Sequence, residues 1–203
     1  MSERQEVPIP PIEVFRAHIA DRGYAFDDAS WRSIAADLVE VEAKRGAVLL
    51  DSAQVTRHLY FVAKGIAATF QTSVSGDVQI ARFFERGQLA SNITSAWQQS
   101  VSADELVAMS DFTGVMVPFD QFRESFLKGG ALAEYWREMV LETLLFDKDL
   151  MCAKTFRDVG SRYRFLTERY EEVVVQVLDK HLARFLGITP QGLSRFRKNH
   201  RES

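Results

Sequence analysis

Gln191, Ser194, Arg195 and Lys198 place a carboxamide, a hydroxyl and two cationic groups within eight positions. That set can read base edges: a guanidinium matches guanine O6 and N7, and a carboxamide matches adenine N6 and N7. Each such pair is worth about 1–3 kcal/mol of discrimination. The flanking sequence explains how they would be presented. Leu182, Ala183 and Leu186 give a short helix one apolar face, and Gly187 permits the positive φ that closes it. Ile188 plugs the corner. Thr189 suits the cap of the next helix, and Pro190 suits its first turn, where the missing N–H costs nothing. Leu193 and Phe196, three apart, face inward. The four polar side chains are left outside, so residues 180–198 read as a helix-turn-helix that enters a DNA groove.

Charge agrees with this reading. From Lys154 to Ser203 there are eleven Lys and Arg against six acids, whereas residues 1–153 hold fourteen against twenty-two. A net charge of -3 over 203 residues therefore conceals a basic C-terminal end, the footprint of a module that meets phosphates.

Other classes are disfavoured. No apolar run approaches about 18 residues, so no membrane span is expected. The polar N-terminus does not read as a secretory signal, which makes a cytoplasmic location the expectation. One cysteine, Cys152, cannot build an internal disulfide or an all-cysteine metal site, and it reads as a small apolar residue. His18, His58, His181 and His200 are too scattered for a metal site. There is no Gly-rich phosphate loop after a strand, no nucleophile elbow and no His-Glu-x-x-His, so no enzyme is expected.

The preceding elements must carry the reader. Residues 1–11 are Pro-rich and read as a flexible lead-in. Ile12, Phe15 and Ile19 mark one short helix. Asp28 caps a second, with Trp31, Ile34, Ala35 and Leu38 at helical spacing. From Val39 to Val117 the pattern becomes short strands at 48–50, 58–63, 66–71, 78–84, 105–109 and 113–117. Turns at Gly65 and at Ser75-Gly76-Asp77 separate them, as in a β-sandwich or barrel. Asp120–Lys128 reads as a helix closed by Gly129-Gly130. A long helix follows, from Ala131 to about Met151. In it Leu132, Trp136, Met139, Thr143, Phe146 and Leu150 step by four and three, the rhythm of a coiled-coil seam. Val140, Leu141, Leu144 and Leu145 widen the apolar surface, so one helix can serve both its own domain and a twin. A further helix spans Lys154 to about Tyr170.

This order resembles the Crp/Fnr family of bacterial transcription regulators. Leu59-Tyr60-Phe61-Val62-Ala63-Lys64-Gly65 is similar to the strand-turn signature of a cyclic-nucleotide-binding β-roll. Leu186–Arg195 is similar to that family's DNA-reading end. The resemblance implies an α+β fold: an N-terminal β-roll of jelly-roll type with flanking helices (1–130), a long dimerisation helix and hinge (131–153), and a helix-turn-helix (154–203). It implies a homodimer on a two-fold symmetric double-stranded DNA site, with RNA polymerase as a further candidate partner. Gln191 falls where the family commonly has a base-reading Glu, and Arg195 on its base-reading Arg. Pro190 replaces a contacting Arg. Thr189, Arg197 and Lys198 take phosphates. The short stretch after Lys198 leaves little room for a β-hairpin wing.

The same resemblance places an effector pocket at Arg82, Ser91, Asn92, Ser102 and Glu105. Ser91-Asn92 stand where nucleotide-binding members have Gly-Glu, and Ser102 stands on their phosphate-neutralising Arg, with Asp104 and Glu105 beside it. A phosphate facing carboxylates without a counter-charge is disfavoured, so a cyclic nucleotide is not expected and no cofactor is assigned, while another small-molecule effector is left open. The alternative function is a ligand-binding or protein-interaction module whose helical tail docks on a protein. The outer face at 190–198 lacks the large apolar anchor such docking needs.

Overall fold

The computed structural model describes residues 9–73, 75–156 and 158–201, with only the backbone of Phe156, His200 and Arg201. Most of the Pro-rich lead-in lies outside the described residues. Its end, Pro10-Pro11, starts α1 (Pro11–Asp21). There follow α2 (Asp28–Ala35), β1 (Val39–Ala43), β2 (Val48–Leu50), β3 (His58–Lys64), β4 (Ala67–Thr72), β5 (Val78–Phe84), β6 (Leu89–Ala90), α3 (Ile93–Gln98), β7 (Asp104–Ala108) and β8 (Phe112–Pro118). The C-terminal part is helical: α4 (Phe119–Lys128), α5 (Ala131–Phe156), α6 (Val159–Arg169), α7 (Glu171–Gln176), α8 (Asp179–Leu186) and α9 (Pro190–Arg201).

The strands form two four-stranded antiparallel sheets, ordered β1-β8-β3-β6 and β2-β7-β4-β5, as in a β-roll. The tight reversal between β3 and β4 depends on Gly65. Its φ is +88°, and an added Cβ would sit 2.2 Å from the Asp111 carbonyl oxygen, so no other residue fits. β3 reads as an unbroken apolar run because both of its faces are covered. Leu59, Phe61 and Ala63 pack with Phe15, Ile19, Tyr135 and Trp136, while Tyr60 and Val62 face the roll interior with Phe84, Leu106 and Phe112.

A third core joins the roll to the terminal helices. Ile66, Ala68, Ile80 and Phe83 from β4, β5 and the turn before β4 pack with Phe165, Leu166, Tyr170, Val173, Leu182, Phe185 and Leu186. The Phe83 ring lies 5.2 Å from Phe185 and 5.7 Å from Tyr170. Polar ties reinforce it. Lys154 Nζ donates to the carbonyls of Ile80 (2.6 Å) and Ala81 (2.9 Å) and lies 4.4 Å from the centre of the Phe185 ring. Glu85 Oε1 accepts from the Val173 N–H at the start of α7 (3.0 Å), and burial pushes its carboxyl up.

Three expectations need correction. The long helix runs past Met151 to Phe156, and the next begins only at Val159, where Asp158 caps it by accepting from the Ser161 N–H (3.0 Å). The cap of α2 is Asp27 and not Asp28: Asp27 Oδ1 accepts from the Ser30 N–H (2.7 Å). The seam Leu132, Trp136, Met139, Thr143, Phe146 and Leu150 faces the chain's own roll. Trp136, Met139 and Leu150 are buried, and Leu132 and Phe146 pack against those cores. The apolar residues left exposed on α5 are Val140, Leu141, Leu144, Leu145 and Met151. At 100° per residue they occupy the opposite side of the helix. A 3.5-residue rhythm alone does not say which partner a stripe meets.

Lys154 leads to a pH prediction. Burial, aided by the Arg162 charge, pushes its ammonium down to about 8. The unfolded chain holds that proton up to about pH 10.4. Between those values the unfolded state binds more protons, so the native state gains stability as pH rises. Relative to Lys154→Met, the unfolding free energy of the parent from urea titrations should climb from pH 8 to pH 10.5 by an amount of order 3 kcal/mol. A flat difference would mean that Lys154 titrates normally.

Candidate nucleic-acid interface and effector pocket

The helix-turn-helix is built as its residues dictate. Gly187 has φ +68°, and its N–H reaches the Ala183 and Arg184 carbonyls, while the Ile188 N–H also bonds to Ala183 (3.0 Å). Thr189 Oγ1 accepts from the Gly192 N–H (3.0 Å), so its hydroxyl caps α9. Leu193 is fully buried, and the Phe196 ring packs 5.3 Å from that of Tyr163. These contacts fix the rotation of α9. Gln191, Ser194, Arg195 and Lys198 are exposed together on its outer side.

Arg197 has a different task from the phosphate contact expected of it. Its Nη1 donates to Asp179 Oδ1 (2.6 Å) and its Nε to the Tyr163 hydroxyl (3.2 Å), and its side chain is only 24% exposed. It braces α9 against α8 and α6. The Arg197–Asp179 pair was invisible in sequence because eighteen positions separate the partners.

The expected effector residues come together in part. A cavity of about 690 Å³ lies between the roll and α5, and Arg82, Ser91, Asn92, Asp104, Thr143, Asp147 and Lys154 are among its lining residues. At its polar end Asn92 Nδ2 donates to Ser102 Oγ (2.9 Å) and Asp104 Oδ2 (3.1 Å), and Ser102 Oγ donates to the Asp104 carbonyl (2.7 Å). Ser102 is buried behind this network and does not line the cavity. Glu105 does not line it either. Side chains alternate along β7, so Asp104 turns to the cavity and its neighbour to the other face. Burial pushes the Asp104 carboxyl up, which marks a desolvated acid where a cyclic phosphate would need a cation.

Arg82 is aimed inward, which nothing in the sequence indicated. It is 8% exposed, and its guanidinium lies 4.7 Å from the Phe84 ring centre and 4.6 Å from that of Phe146. Its Nη1 donates to Asp147 Oδ1 (2.7 Å), which neutralises it within the cavity. Cys152 is half-buried and unpaired. Among the described residues no group of three His, Cys, Asp or Glu side chains could hold a metal ion, and no helix is long and apolar enough to cross a membrane.

A β-roll, a long helix and a terminal helix-turn-helix together define the fold of the Crp/Fnr regulators, and solved structures agree. FixK2 from Bradyrhizobium japonicum superposes with a TM-score of 0.68 at 16% identity, over 81% of this chain and 85% of its own. A protein assigned to the Crp/Fnr family of transcriptional regulators from Eubacterium rectale gives 0.65 at 16%, over 87% and 84%. The c-di-GMP responsive global regulator CLP of Xanthomonas campestris gives 0.65 at 15%, over 87% and 92%. No protein-family model and no curated protein matches the sequence.

Proposed function

We propose that this chain is a sequence-specific regulator that binds double-stranded DNA as a homodimer through α9. The observation that carries the reading is the single exposed face of α9, which holds Gln191, Ser194, Arg195 and Lys198 over a buried Leu193. With Pro190 at the first turn and Arg197 held by Asp179, base reading falls to Gln191 and Arg195, and phosphate contact to Lys198 and Thr189. The fold shared with Crp/Fnr regulators supports this assignment. The dimer forms through the outer face of α5, and its two reading helices address half-sites about 34 Å apart or a multiple of that. The cavity between the roll and α5 is not built for a cyclic nucleotide.

The test is fluorescence anisotropy against a genomic fragment library, followed by titration on a selected site. Arg195→Ala should cost about 1–3 kcal/mol on that site and flatten preference at one base position. Lys198→Ala should weaken all sequences alike and lower the salt slope by about 1. Binding that is absent, or indifferent to both changes, sinks the proposal.

A further inference from the structure

A second cleft, also of about 690 Å³, lies between α1, the turn after β5, and α5. It adjoins the roll cavity, and Arg82, Leu89, Met139 and Thr143 line both. Four arginines line it: Arg22 just after α1, Arg82 from β5, Arg86 from the turn and Arg169 from α6. Three of them have acids. Arg22 is held by Glu138 and Glu142, Arg169 by Asp149, and Arg82 through Nη1 by Asp147. Asp21 also lines the wall.

Two donors are left over. Arg86 is exposed and makes no ion pair among the described residues. Arg82 is buried, yet its Nε has no hydrogen-bond partner. A buried guanidinium N–H is costly to leave unmade and calls for an explanation. Its planar fork suits a two-oxygen acceptor. The rest of the wall, with Phe61, Leu89, Met139 and Phe146, supplies the apolar contact that small-molecule sites use around a few polar anchors.

We propose that this cleft binds a small metabolite bearing a carboxylate or phosphate, held by Arg86 and by the unpartnered edge of Arg82. The site does not depend on DNA binding. It touches the roll, α5 and, through Arg169, the terminal helices, so its occupant meets both halves of the chain.

The full chain should be titrated calorimetrically with inorganic phosphate and with succinate, against sodium chloride at equal ionic strength. Saturable binding of phosphate or succinate, absent with chloride, is expected. Arg86→Ala should weaken it about tenfold or more, the loss of one charge-assisted bond, with an unchanged melting temperature in the absence of ligand. The double variant Arg82→Gln/Asp147→Asn removes the ion pair without leaving a lone charge, and should weaken binding as well. Arg195→Ala should bind the anion like the parent. No saturable binding, or binding that survives Arg86→Ala and is lost in Arg195→Ala, overturns the proposal.

Discussion

Leu144→Asp is expected to turn the proposed dimer into a monomer while leaving the protomer folded. Leu144 is 64% exposed and Leu141 54%, with Val140, Leu145 and Met151 beside them. Such a contiguous apolar stripe on a charged helix marks an interaction surface. Arg137, Leu141, Leu144, Lys148 and Met151 step by four, three, four and three, the spacing at which a second helix packs. Burying a leucine contributes about 1.5–3 kcal/mol, and in a two-fold interface each substitution acts twice. Loss of two leucines should therefore weaken association by about 3 kcal/mol or more, over a hundredfold, before the cost of burying two carboxylates. Sedimentation equilibrium should report monomer at micromolar concentration, and affinity for a palindromic DNA site should fall with it. Unfolding of the isolated protomer should move by less than about 0.5 kcal/mol, since most of the side chain faces solvent there. An unchanged association constant would dispose of this face as the dimer surface. Trp136→Ala should do the reverse, because Trp136 is buried against the chain's own roll. It should destabilise the protomer by about 3–5 kcal/mol.

Phe185→Ala should destabilise the whole chain, not the terminal helices alone. Phe185 is 4% exposed, and its ring meets Phe83 of β5, Tyr170 and the Lys154 ammonium. Truncating a buried phenylalanine costs about 3–5 kcal/mol. The core here is shared between the roll and the C-terminal helices, so the loss should appear in one cooperative transition followed by both tryptophan fluorescence and helical circular dichroism. All three tryptophans lie before residue 140, so their signal reports the roll and its flanking helices. If only helicity responded while tryptophan signals stayed put, the terminal helices would be an independent unit and the shared core would have little energetic meaning.

Much of the helix-turn-helix was legible because its signals are local. Gly187, Thr189, Pro190 and the spacing of Leu193 and Phe196 act within a few residues, and each takes the place its chemistry requires. The strands at 78–84 and 48–50 were legible from local signals as well: short runs rich in Val, Leu, Ile and Phe, set off by turn residues. β1, β6 and α3 escaped notice. β6 has only two residues and α3 only six, too short for a period to show, and the VEVEA pattern of β1 is half charge.

The sequence by itself determined the succession of helical, β and helical regions, the outer residues of α9 and the polarity of the chain, since propensity, capping and charge are written along the backbone. The tertiary structure alone decided three other matters. It chose which stripe of α5 faces the roll, because both sides of that helix are apolar. It turned Asp104 rather than Glu105 to the cavity, because β7 pairs with β4 in one register. It placed Arg82 between Phe84 and Phe146 against Asp147, and Arg197 against Asp179, because partners sixty-five and eighteen positions apart meet only when the chain folds.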